Sequence, residues 1–291
     1  MSTEELTAAA TPAPTEAEAR AAFLSRAGGP ALGARTVLER AVELLPGALG
    51  AAPDIETALT ELAARAARRT APAARAAPAP WGLDLATGAL RRVTVPACAS
   101  PVGIAAGLTW VSALERGLAQ HCAALLARRL GEPGTRVPRL SLAGEGHAVP
   151  DALLRALRAE GEPVAHDLTG LLSLPACAVT LAPRAAPDRD LDRDTVIATG
   201  ATLAEAARTA AERALSRSRA RAAGRSVPPA FPAIGRAQES DAPRPLPGAQ
   251  WSHPLDALHS RGHDPVAVLL DHDARVGEVL PYLVRIVLTT K

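Results

Sequence analysis

Lysine is almost absent: Lys291 is the only one, and the other basic side chains among the 32 Lys and Arg residues are all arginine. That bias runs through the whole chain, so arginine content alone marks no site. Aromatic residues make up 2% of the sequence while hydrophobic residues make up 48%. The core is therefore expected to be close-packed Leu, Val and Ala with few large anchors. The three cysteines, Cys98, Cys122 and Cys177, are odd in number, far apart and set in apolar surroundings. They exclude a disulfide framework or a cysteine zinc site and fit reduced, buried thiols in a cytoplasmic protein. No apolar run approaches the ~20 residues needed to span a bilayer. The first twenty residues are acidic and polar, without the apolar stretch of a signal peptide. A net charge of +2 argues against a dedicated nucleic-acid binder.

What the sequence does hold is length enough for one large domain or two small ones, 291 residues, and one dominant stretch at 103–130. It opens with a Gly-Ile-Ala-Ala-Gly turn and continues as a long helix. Val111, Leu114, Leu118, Cys122 and Leu125 recur every three or four residues and are expected on one buried face. Thr109 is placed to cap the helix.

Upstream, 1–13 reads as a disordered Thr/Ala/Pro segment. Helices are expected at 15–28, 33–46 and 53–69, followed by a Pro/Ala linker at 71–80 that sets the main boundary. Two domains follow from this: an Ala-rich helical segment with its linker over 1–80, and a larger domain over 81–291. In the larger part, Trp81–Leu85 and Leu90–Pro96 flank an Ala86-Thr87-Gly88 turn as a hairpin. Strands are expected at 139–143, 163–169, 175–181, 195–199, 266–270 and 282–288, with helices at 150–160, 203–225, 254–261 (capped by Ser252) and 274–280. The four aspartates of 184–194 lack the Gly and terminal Glu of a calcium hand and read as a solvated loop. The basic end of the 203–225 helix suits phosphate or an acidic peptide as well as solvent, and the Pro-rich 226–250 stretch reads as a long mobile loop. His259 and His263 have a zinc-compatible spacing, but Gly262 interrupts the helix between them, so no metal site is assigned.

Three segments together resemble the YcaO-like family of peptide-modifying proteins. They are Gly103-Ile104-Ala105-Ala106-Gly107-Leu108-Thr109 through His121; the helix–Gly–strand at 153–169 that ends Val164-Ala165-His166-Asp167-Leu168-Thr169 and runs on into Leu174–Val179; and 255–288, with Gly262–Val268 and Tyr282–Leu288. The resemblance covers about 81–291. It implies an α+β fold, a mixed sheet with packed helices, preceded here by the short Ala-rich helical segment. It also implies a part in the maturation of a ribosomally synthesised peptide, with azoline, thiazole or thioamide as product and ATP and Mg²⁺ as cofactors. The implied partners are a precursor peptide and other maturation enzymes, including a complete YcaO-like protein, with neither nucleic acid nor membrane.

In register with the family, the nucleotide-site positions are Gly103, Gly107, Gln120, Ala123, Arg213 and Ser216. The family carries carboxylates at two positions of the first helix, because Mg²⁺ takes hard oxygen ligands. Here Gln120 and Ala123 stand there. On the second helix, Arg213 and Ser216 replace a Glu and a Gln, with Glu212 one residue away. No catalytic residue is assigned. Three readings stay open at this point: a divergent cyclodehydratase or its subunit; an ATP-independent pseudoenzyme that binds precursor peptide or a full-length YcaO-like partner; and an α+β protein unrelated to peptide modification.

Overall fold

The computed structural model describes residues 14–33, 59–60, 79–95, 101–143, 149–183, 194–224, 234, 239–240, 253–270 and 282–290. Three of its helices begin where a threonine hydroxyl takes an otherwise orphaned backbone N–H. Helix α1 (Glu16–Ala27) is capped by Thr15, which accepts from the Glu18 N–H while the Glu18 carboxylate accepts from the Thr15 N–H. That reciprocal pair also holds the exposed Glu18 carboxyl below its usual pKa. Thr109 and Ser112 form the same kind of box at the start of the 21-residue helix α2 (Trp110–Leu130).

The first sheet contains β1 (Trp81–Asp84), β2 (Leu90–Arg92), β3 (Ile104–Ala106), β9 (His263–Leu269) and β10 (Leu283–Thr290). Its order is β2-β1-β9-β10-β3, and every pair is antiparallel. The expected hairpin is present. Asp84 closes it by accepting from the Ala86 and Thr87 N–H groups, and Gly88 supplies a φ of 70°. The second sheet contains β4 (Val137–Leu140), β5 (Gly161–Asp167), β6 (Ala176–Pro183), β7 (Asp194–Thr199) and the two-residue β8 (Glu239–Ser240). Its order is β7-β6-β5-β4-β8, antiparallel except for the parallel β4–β8 pair. Helices α3 (Asp151–Glu160), α4 (Thr169–Leu172), α5 (Leu203–Ala222) and α6 (Pro254–His259) complete the described elements. The fold is α+β, as expected.

Helix α2 lies between the two sheets. Its Ala113, Leu118, Cys122 and Leu126 share one core with Ala105, Ala267, Val284 and Ile286 of the first sheet and with Val137, Ala176, Ala178 and Ile197 of the second. The other face of the second sheet packs beneath α3 and α5. There Cys177, Val179, Val196 and Ala198 meet Leu154 and Leu157 and an alanine stripe on α5: Ala206, Ala207, Ala210, Ala211 and Ala214. Because successive strand residues alternate faces, β6 is buried on both sides, and residues 176–179 are all 0% exposed.

Several expectations are corrected. Residues 104–106 form the edge strand β3, not a turn. Val111 is 59% exposed and does not join the buried stripe; Trp110, Ala113, Gly117, Ala123, Leu126 and Leu130 do. A helix covered on two sides buries a broad surface, so a single five-residue stripe misidentifies its face. The cap of α6 is His253, whose Nδ1 accepts from the Leu255 N–H, because Pro254 is the first helical residue. The expected helix at 274–280, the loop at 184–193 and most of the helices at 33–46 and 53–69 lie outside the described residues.

Residues 14–33 are docked on the larger part of the chain. The Phe23 and Trp110 rings meet edge to face at 6.1 Å, Tyr282 donates to the Pro30 carbonyl, and the Leu32 N–H donates to Leu108. The Trp81 indole and Arg92 both donate to the Pro14 carbonyl. Phe23→Ala is therefore expected to cost about 3–5 kcal/mol of unfolding free energy. Leu24→Ala, at a side chain 65% exposed, should stay within about 0.5 kcal/mol. Urea titration of the full chain measures both, and equal effects would mean that α1 is not part of the core.

Candidate functional site

The residues around Gly103 form a junction between β3, β10 and α2. Gly103 has a φ of 87°, a backbone that an L side chain rarely adopts. A Cβ there would also collide with the Ile286 carbonyl and the His121 ring. Gly117 lets α2 approach closely, since a Cβ would lie 2.6 Å from Ile286 Cγ1.

At this point the β3–β10 ladder opens. The Ile286 N–H still donates to the Gly103 carbonyl at 2.8 Å. The complementary pair of groups, the Gly103 N–H and the Ile286 carbonyl, is taken by two consecutive side chains of α2. Gln120 Oε1 accepts from the Gly103 N–H at 2.9 Å, and His121 Nε2 lies 2.8 Å from the Ile286 carbonyl oxygen. A carbonyl only accepts, so Nε2 carries the proton. The other half of the Gln120 amide, Nε2, donates to the Ile104 carbonyl at 2.8 Å. Both ends of that side chain are thus committed to backbone.

Gly107 stands at the far end of β3, where its N–H donates to Tyr282. A Cβ there would lie 2.6 Å from the Ala113 nitrogen. Ala123 is 8% exposed and belongs to the core between the sheets. Arg213 and Ser216, both half-buried, lie on α5, which packs on the opposite face of the second sheet from α2. The structure therefore brings Gly103 and Gln120 into contact, while the sheet stands between α2 and α5. The positions that the family resemblance assigns to Mg²⁺ hold one neutral amide with both atoms occupied, a methyl group, an arginine and a hydroxyl. That donor set does not fit a hard divalent cation, which requires several free oxygen ligands, preferably carboxylates.

Sequence reasoning missed His121 as a partner in the junction and His166 as a buried polar group. His166, 1% exposed, lies on β5 with Nε2 3.3 Å from Glu239 Oε1, and the neighbouring Asp167 accepts from the Thr169 N–H. The only signal in the sequence was a histidine inside an otherwise apolar segment. Among the C-terminal histidines, His259 pairs with Asp264 at 3.2 Å. No group of three or more His, Cys, Asp or Glu placed to hold a metal occurs among the described residues. Burial pushes the Cys122 thiol up to about 12 and the Cys177 thiol up as well, so both are protonated and unreactive at neutral pH.

Burial holds His121 below the ordinary histidine range; the hydrogen bond to Ile286 opposes this, and the charges of His263 and Arg285 add to it. His166 is lowered by burial too, against the opposing pull of Glu239. A depressed folded pKa means that the unfolded chain binds more protons between that value and the ordinary histidine pKa near 6.5. Stability is accordingly full above the ordinary histidine pKa and is lost as pH falls from there toward the depressed folded one. Urea midpoints are expected to drop between pH 7.5 and 5.5, with a shallower drop in His121→Gln; an unchanged slope would show that His121 carries none of the effect.

No protein-family model matches the chain, and no curated protein sequence matches it. Solved structures do. The heterocyclase TruD is similar over 72% of this chain and 33% of its own, at 14% identity and a TM-score of 0.47. YcaO from Methanopyrus kandleri, solved bound with AMPPCP and Mg²⁺, is similar over 72% of this chain and 62% of its own, at 14% identity and a TM-score of 0.46. The E. coli microcin synthetase McbBCD complex with pro-MccB17 bound is similar over 49% of this chain and 40% of its own, at 18% identity and a TM-score of 0.39. The chain thus spans about a third of the length of TruD. Among the described residues, no helix is long and apolar enough to cross a membrane. In structure the chain is thus similar, over 72% of its own length, to the heterocyclase TruD and to a YcaO protein.

Proposed function

We propose that this chain is a YcaO-like protein that takes part in maturing a ribosomally synthesised peptide and does so without ATP, by holding the precursor peptide or a complete YcaO-like enzyme. The observation that carries this reading is the state of the family's metal positions. Gln120 is neutral and bonded at both ends to Gly103 and Ile104, and Ala123 is packed in the core. Phosphoryl transfer rests on positioning and on neutralising phosphate charge. A chain without acidic ligands for Mg²⁺ at these positions has lost the means to hold the metal that does this. The three segments that carry the family resemblance nonetheless supply β3, α2, α3, β5, β6, β9 and β10. A fold can persist after its site is lost, and then serves recognition.

Calorimetry of the full chain with Mg-ATP is expected to show no binding at millimolar nucleotide. Micromolar affinity would overturn the ATP-independent reading. Co-elution with the precursor peptide, or with a complete YcaO-like enzyme encoded beside it, is expected on size exclusion; failure to bind either would overturn the recognition role.

A further inference from the structure

Strand β3 is the edge of the first sheet, and edge strands expose backbone groups that must be satisfied or guarded. Here Gly103 and Gly107 bond inward to β10 through the Ile286 N–H and the Tyr282 carbonyl, which leaves Ile104 and Ala106 facing outward. The Ile104 N–H donates to Pro101 at 3.1 Å, and the Ile104 carbonyl accepts from Gln120. The Ala106 N–H and carbonyl are both met by the Thr60 hydroxyl, at 3.0 and 3.2 Å. The edge is therefore closed from within the chain, by an amide at one end and a hydroxyl at the other.

We infer that Gln120 is a structural latch: its amide locks the Gly103–Ile104 backbone onto α2, so that the junction closes by itself, with no nucleotide or metal. This deepens the ATP-independent reading and rests on it for the meaning of the position, but the latch has its own physical signature. It uses a donor and an acceptor on one side chain. Glutamate has the same shape and keeps both functions only while protonated; ionised, it accepts from Gly103 and repels the Ile104 carbonyl oxygen. A metal-binding position would behave in the opposite way, since the ionised carboxylate is the better ligand.

The test is thermal unfolding of full-length Gln120→Glu and wild type from pH 5 to pH 8, with and without Mg-ATP. In the folded variant the introduced carboxyl has a raised pKa, because only its protonated form makes both bonds. Its stability is therefore present at low pH and lost as pH rises through that pKa. The variant is expected to melt close to wild type at pH 5 and about 5 °C or more below it at pH 8, with no response to Mg-ATP. Taking the difference from wild type at each pH removes the histidine contribution. A variant that matches wild type at pH 8, or that gains stability with Mg-ATP, would overturn the latch. Gln120→Leu serves as the second variant. It should melt low at every pH and raise hydrogen exchange at the Gly103 amide about tenfold or more, whereas unchanged protection there would overturn the inference. Wild-type ATP binding is not the readout, so failure of the proposed function and failure of the latch are separable.

Discussion

Placing α2 between two sheets is the constraint to which the rest of the molecule conforms. A helix covered on both sides can approach its neighbours only through small residues, and Gly117 and Ala113 supply them. It must also leave no polar group of the adjoining backbone without a partner, because an unmet buried donor or acceptor costs about 1–3 kcal/mol. Gln120 and His121 meet that demand where the β3–β10 ladder parts. The positive φ of Gly103 then follows from geometry. The chain has to turn toward the helix, and the space a Cβ would fill is already held by the Ile286 carbonyl and the His121 ring.

The same demand for close approach explains the unusual composition. An alanine stripe on α5 and the run Ala176-Cys177-Ala178 on β6 let helix and sheet pack tightly without large side chains. Each alanine buries little area, so the stability of such a core rests on dense packing more than on the size of single anchors. The aromatics among the described residues stand at joints. Phe23 against Trp110 and Tyr282 against Pro30 fasten α1 to the rest of the chain, and Trp81 and Arg92 hold Pro14.

Much of this was legible in the sequence where the signal is local. The cap at Thr109, the hairpin turn at 86–88, the apolar strand expected at 175–181 and the alternation of helices and strands all follow from short-range chemistry. What was not legible depends on contacts distant in sequence. Ile104–Ala106 reads as a flexible turn because small residues have weak strand preference, yet β10, some 180 positions away, pairs with it. Val111 reads as core by its spacing, but whether a helix is covered on one face or two is decided by its neighbours. The site shows the same division. The family resemblance assigns Gln120 to a metal-binding position, and cannot say that its amide is bonded to two backbone groups seventeen and sixteen residues away.

That last point bears on what exchanging a carboxylate for an amide does to such a junction. Glutamate and glutamine have nearly the same shape, so the change at such a position leaves packing almost untouched. What it alters is the hydrogen-bond inventory: an ionised carboxylate offers only acceptors, while an amide offers one acceptor and two N–H donors. A junction that needs a donor for Ile104 and an acceptor for Gly103 is satisfied by the amide and left half unmet by the ionised acid. With the carboxylate present, the junction's remaining polar groups would need a cation or water to balance them; with the amide, the protein supplies the balance itself. At position 123, burying a carboxylate charge beside Leu126 and Cys122 would be costly. Alanine at 123 avoids that cost, so under the proposed ATP-independent reading Gln120 and Ala123 belong to one way of holding the junction together.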